Sequence, residues 1–172
     1  MTMRTRFGVI ATAVAFAFLL AACTPSRPSV PVASQPAQAV LTCPQRHAVT
    51  PTPSRLPGAG SQLVPLKPRN VLVCRYGALP GSLRSTAVVS NARDAAKLAS
   101  FFNRAGDVGA GRVNCPMDDG ESADFTFSSG TTRSELTVGL TGCRTASNGT
   151  ATRLWVVLPP ALLRLAGLPA DG

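Results

Sequence analysis

Five cysteines are spread along the 172 residues, and their placement limits the fold more than any other feature. Cys23 directly follows an apolar N-terminal run, while Cys43, Cys74, Cys115 and Cys143 are distributed through the rest of the chain. An even number of cysteines in an exported domain reads as a disulfide framework, and four cysteines allow three connectivities. The alternative, zinc, fits poorly: no CxxC occurs and the one histidine is His47. No metal or other cofactor is therefore expected.

Export is indicated by the N-terminus. Arg4 and Arg6 precede the run Gly8 to Leu20, GVIATAVAFAFLL, and small residues follow it. A positive end, a short apolar stretch and a small-residue cleavage site make a secretory signal. The run falls short of the roughly 20 apolar residues that a membrane-spanning helix needs.

The tetrapeptide Leu20-Ala21-Ala22-Cys23 resembles the lipobox of bacterial lipoproteins. That resemblance implies cleavage before Cys23, diacylglycerol on its sulfur, and acylation of the new amino terminus. Two or more acyl chains hold firmly, because each buried CH₂ adds about 0.8 kcal/mol. Residues 1–22 are then a signal peptide, and the mature protein sits on the extracytoplasmic face of the cell membrane.

Residues 23–68 read as a lipidated N-terminus and a linker. Ten of the fifteen prolines lie there, interspersed with Ser, Ala and Gln. Such a segment cannot bury enough apolar surface to fold alone. As a semi-rigid spacer it gains about 3.1 Å per residue, enough for the stretch before Cys43 to lift a domain by roughly 60 Å. The part from Cys43 to Pro68 is also Pro-rich, but its cysteine is expected to staple it to the domain. The first acidic residue is Asp94, so Arg27, Arg46, Arg55, Lys67, Arg69, Arg75, Arg84 and Arg93 are unopposed in sequence before it. A basic segment near a membrane is drawn to anionic lipid or wall polymer, at about 1 kcal/mol per charge. Nucleic acid is not an expected partner, given export and a single Tyr and Trp for stacking. Fifteen Arg against two Lys suggest a GC-rich, actinobacterial source.

The folded domain is expected over 69–172, as α+β with a small antiparallel sheet of about five strands. Asn70 to Tyr76, NVLVCRY, reads as a strand. Leu79-Pro80-Gly81-Ser82 is a turn and Ser85 to Val89 a short second strand. Ala95, Leu98, Ala99 and Phe102 recur at i, i+3, i+4 and i+7, which is one face of a helix. Asn91 can cap it, with Asp94 placed as in a capping box, and Gly106 can stop it. Arg93, Lys97, Ser100 and Arg104 form its solvated side. Ala123–Phe127 and Glu135–Leu140 alternate and pair as a hairpin, with Phe125 facing Leu136. Thr152 to Leu158 is a last strand, and Pro159-Pro160 opens a short helix carrying Leu162, Leu163, Leu165 and Ala166, closed by Gly167. The order ββαβββα places one main helix on one face of the sheet. The hairpin register returns Cys143 to the neighbourhood of residue 118, close to Cys115. This favours Cys115–Cys143 and leaves Cys43 for Cys74, each bridge closing about 30 residues and contributing on the order of 3–4 kcal/mol.

Catalytic constellations are scarce. His47 lies among prolines, outside the expected elements, where a Ser-His or Cys-His pair is not anticipated. No GxSxG, HExxH or SxxK occurs. Asp118, Asp119, Glu121 and Asp124 form an acidic cluster that could serve acid–base chemistry or calcium. Its spacing is not that of an EF-hand, and a Pro-Met-Asp-Asp-Gly loop uses such residues for its turn. Asn148-Gly149-Thr150 matches a glycosylation sequon, but in a bacterial chain it reads as a turn. Gly58-Ala59-Gly60-Ser61 lacks the lysine and helix of a phosphate cradle. The expected role is non-enzymatic: a binding or interaction domain at the cell envelope with an unidentified protein partner.

Residues 69–158 show a second resemblance. Strand, helix, Cys115-Pro116-Met117 loop, hairpin, Cys143 and the final apolar run Leu154-Trp155-Val156-Val157-Leu158 follow the order of the subtilisin-inhibitor-like family. The resemblance implies a protease-binding loop over Cys115–Gly120, with Pro116, Met117, Asp118 and Asp119 as contact residues and Met117 entering the protease's primary pocket. The chain departs from the family in three respects. Its helix carries no cysteine to bridge to the first strand, an acidic pair follows Met117, and the C-terminal helix is extra.

Overall fold

The computed structural model describes residues 41–48, 51–78, 81–106, 114–154 and 156–169. The signal segment, Cys23, the first part of the linker, Leu79, Pro80 and Trp155 lie outside them.

Strand β1 (Asn70–Tyr76) is buried on both faces, as its near-continuous apolar run requires. It pairs antiparallel with β2 (Leu83–Val89) on one side and β3 (Ser122–Ser129) on the other. β3 forms the expected hairpin with β4 (Thr132–Gly139), and Phe125 stands opposite Leu136. Two further strands of two residues each, β5 (Ala146–Ser147) and β6 (Thr152–Arg153), complete a six-stranded antiparallel sheet in the order β2-β1-β3-β4-β5-β6. β5 has no counterpart among the expected strands, and β6 is only the beginning of the expected Thr152–Leu158 strand. The alternation of Thr152–Leu158 survives as buried Val156 and Leu158 around exposed Val157, yet only Thr152 and Arg153 join the sheet. The reason is the partner: β5 offers two residues, and the chain before it bends at Arg144, a non-glycine residue with φ 47°. Beyond that point Val156 reaches only the Arg144 carbonyl, at 2.8 Å.

Helix α1 (Ala92–Asn103) lies on one face of the sheet and buries Ala95, Leu98, Ala99 and Phe102. Phe102 meets Phe125 edge-on at 5.1 Å between ring centroids, and Phe127 completes the aromatic cluster at 6.1 Å. Asn91 caps the helix, accepting from the Arg93 N–H at 2.8 Å. Asp94 does not complete a capping box: its carboxylate turns to Lys97 Nζ at 2.8 Å. The helix stops at an Arg104 C-cap, ahead of Gly106. Helix α2 (Pro160–Leu165) begins at the expected proline and is followed by Gly167 at φ 64°.

The folded unit starts well before the boundary expected at Arg69. Leu63 and Val64 are fully buried in the main core beside Val71, Phe102 and Phe127. Two asparagines clamp their backbone. Asn103 Oδ1 accepts from Val64 N–H at 2.8 Å while its Nδ2 donates to Val64 C=O at 2.9 Å. The Asn148 amide donates to the carbonyls of Ala59, Gln62 and Leu63. On the opposite face of the sheet, Leu41 and Cys43 pack over Leu72, Cys74 and Tyr76. Both expected disulfides are present: Cys43–Cys74 with Cα atoms 5.6 Å apart, and Cys115–Cys143 at 4.8 Å. Proline-rich composition therefore does not mark the described part of the linker as a free tether. Side-chain-to-backbone bonds and a staple hold it to both faces of the sheet.

Candidate functional site

The loop that leads into β3 is the most exposed apolar-bearing feature among the described residues. Residues 114–119 carry no regular secondary structure and face solvent, with Met117 94% exposed. Cys115 fixes one end of the loop to Cys143. The other end is fixed by side chains. Asp118 Oδ1 accepts from Gly120 N–H at 2.9 Å, and Asp119 Oδ1 accepts from Glu121 N–H at 2.9 Å, giving two successive Asx turns. The Thr141 hydroxyl, across the hairpin, lies 2.8 Å from Asp118 Oδ1 and 2.7 Å from Asp119 Oδ1. The Glu121 N–H, and after it Thr141, hold the Asp119 carboxyl below the usual carboxylate range. Gly142 is what lets Asp118 come so close. Its φ is 61°, and a Cβ there would stand 2.6 Å from Asp118 Cβ. Met117 is thus presented on a short loop braced at both ends.

The acidic cluster expected from sequence is dispersed. Asp118 and Asp119 serve the turn. Glu121 pairs with Arg75, whose Nη2 lies 3.0 Å from its Oε2. Asp124 is on the outer face of the sheet and accepts from the Thr137 hydroxyl at 2.7 Å. Among the described residues, no group of three or more His, Cys, Asp or Glu side chains is placed to hold a metal ion.

His47 is not in an unstructured region. Its Nε2 lies 3.1 Å from Asp124 Oδ1, and its ring is 5.0 Å from that of Tyr76. The backbone is fixed as well, since His47 N–H donates to Gly81 C=O at 2.9 Å and Arg46 bridges to Ser82. A signal for this was available. Cys43 is bonded to Cys74, and Cys74 stands opposite Asp124 in the β1–β3 register. A residue four positions after Cys43 can reach that carboxylate. Burial, reinforced by the charge of Asp124, pushes the Tyr76 hydroxyl up to about 12. What the cluster does in this geometry is fasten the 41–48 segment over β1 and β3.

Asn148 opens the expected turn, its Oδ1 accepting from the Thr150 and Ala151 N–H groups at 2.9 and 2.7 Å, but its burial was not visible in sequence. Rather than an exposed sequon, it is completely buried. Beside it Gly149, at φ 76°, lies so near Pro53 that a Cβ would be 2.7 Å from the Pro53 backbone.

No family model, no curated protein and no solved structure matches the chain.

Proposed function

We propose that the protein is a membrane-anchored extracytoplasmic lipoprotein, held through lipid on Cys23, whose disulfide-stapled α+β domain acts by binding a partner at the cell envelope rather than by catalysis. The observation that carries the binding part is the braced loop: an almost fully exposed Met117 between a disulfide and two Asx turns. An ordered loop loses little conformational freedom on association, so its apolar tip can contribute to affinity. Exposed methionine also adapts to varied apolar pockets. The dispersal of Asp118, Asp119, Glu121 and Asp124 into turn, ion-pair and strap contacts supports the non-catalytic reading. The basic mature N-terminal segment would favour anionic lipid or wall polymer beside the anchor.

The test places a photo-crosslinking amino acid at Met117, or at exposed Val88 as a control, in the full-length anchored protein. The expected outcome is a discrete adduct from position 117 only, lost when Thr141→Val unbraces the loop. Equal, diffuse labelling from both positions would contradict the reading.

A second reading, a protease-inhibitor-like domain, is favoured by one observation. The Cys115–Gly120 loop is exposed and tied by the Cys115–Cys143 bridge, as a protease-binding loop must be. On this reading the protein slows subtilisin or trypsin at micromolar levels and Met117→Asp abolishes the effect. Undiminished protease activity removes it.

A further inference from the structure

The charges of the folded domain are sorted along its strands. β1 begins where β2 ends, Val71 standing opposite Val89. β3 ends and β4 begins at the same place, with Ser128 opposite both Asn70 and Arg133. Arg69 N–H donates to Ser128 C=O at 2.8 Å, so the backbones of Arg69 and Arg133 flank one residue. Helix α1 also starts at this end, with Arg93 in its first turn. Lys67 lies just before Arg69, and Arg55 shares with Arg133 the wall of a recess of about 300 Å³. Arg55, Lys67, Arg69, Arg93 and Arg133 are exposed, and none has an ion-pair partner among the described residues. Two acidic residues stand near them: Asp94, which Lys97 occupies, and Glu135. Adjacent strands are about 4.8 Å apart, so the row from the end of β2 to the start of β4 is about 15 Å wide.

The other end of the sheet carries the Met117 loop. There Asp118, Asp119 and Glu121 precede β3 and offset the cations, Arg75 among them. The eight residues of β3 separate the two ends, which at about 3.4 Å per residue is about 25 Å. We infer that the basic end is a docking surface for the anionic lipid headgroups of the membrane that carries the anchor, and that docking there turns the Met117 loop outward. The inference rests on the reading of the protein as membrane-anchored. The tether leaves the choice of end to charge. Leu41 and Cys43 meet the sheet over Leu72 and Cys74, midway along β1. As a proline-rich spacer the chain from Cys23 to Leu41 spans up to about 55 Å, enough for either end to approach the bilayer. Tethering keeps the headgroups at high effective concentration. Cations near an anionic leaflet are drawn to it, and long Arg and Lys stems let the charged heads reach it.

The test uses full-length anchored protein in nanodiscs of phosphatidylcholine alone or with one-third phosphatidylglycerol. A photo-crosslinking amino acid replaces Thr131, exposed in the turn between β3 and β4, or Met117. Lipid adducts are expected from position 131, at least fivefold more in the anionic discs, and none from position 117. About 1 M NaCl, where the screening length is about 3 Å, should suppress them. Arg69→Gln/Arg133→Gln should reduce them at least fivefold. Arg46→Gln/Arg84→Gln removes the same charge at the far end, where Arg46 bridges to Ser82 and Leu83 stands opposite Tyr76, and should change them less than twofold. Should the first pair fail to fold, the salt and lipid dependence of the wild type decides. No adduct from position 131, equal labelling in both kinds of disc, equal labelling from position 117, or an equal loss with the far-end pair overturns the proposal. Lipid on Cys23 is read by intact mass on the same sample, so the anchor and the docking surface fail separately.

Discussion

Asn148 uses its whole side chain to hold a loop nearly ninety positions away in sequence. Three carbonyls, those of Ala59, Gln62 and Leu63, gather around its amide nitrogen, and its Oδ1 accepts from the N–H groups of Thr150 and Ala151. Removing one side of a buried bond leaves the other side unsatisfied, at about 1–3 kcal/mol. Asn148→Ala is therefore expected to lower unfolding free energy by about 3 kcal/mol in urea titration. Asn148→Asp should cost more, since it turns a carboxylate toward carbonyl oxygens. Tyr76 offers a direct reading of burial because it is the only tyrosine. Its phenol is raised to about 12 in the fold by burial and by Asp124. A group raised on folding contributes stability that is intact below its unfolded pKa, about 10, and is lost as pH rises through about 12. Ultraviolet titration should show tyrosinate forming near 12 in the native protein and near about 10 in denaturant. Of these residues, Asn91 was legible as a cap because its partners are two and three positions away. Asn148 was legible as a turn residue on the same ground, but the carbonyls around its amide, like the partners of Asn103 and His47, are distant in sequence and meet it only after folding.

Helix α1 and the β3–β4 hairpin were readable for the same physical reason. Burial on one side imprints a period on the sequence: 3.6 for the helix and 2 for the strands. Phe102 sits where the two periods meet, against Phe125 and Phe127. Phe102→Ala should cost about 3–5 kcal/mol, with an unchanged denaturant slope. β5 and β6 are too short to carry a period. The run Thr152–Leu158 kept its alternation while leaving the sheet, because Val156 and Leu158 pack in the core without a neighbouring strand to pair with. The segment between Cys43 and Pro68 was the hardest to read. Proline content reports the scarcity of backbone donors and of a regular period. It does not report that Leu63 and Val64 are buried, nor that Asn103 and Asn148 supply the missing hydrogen bonds.

Among the described residues there is one sheet, with a cover on each face. α1, α2 and residues 59–66 lie over one side, and the 41–48 segment, stapled by Cys43–Cys74, lies over the other. The braced loop is set by the second bridge. The two disulfide pairings were legible because the hairpin register carries Cys143 back to Cys115, and elimination does the rest. The acidic cluster was legible as a turn at Asp118 and Asp119, but not as the separate contacts of Glu121 and Asp124. On the proposed reading, lipid on Cys23 is what would place the loop and the stapled domain at the envelope. Export of the wild type and of Cys23→Ala, followed by membrane fractionation and intact-mass analysis of the mature N-terminus, tests the anchor directly. Wild-type protein is expected in the membrane fraction, beginning at a Cys23 that carries the mass of diacylglycerol, and Cys23→Ala protein is expected to lack that mass and leave the membrane. A Cys23→Ala protein that is still fully processed and membrane-bound would contradict it.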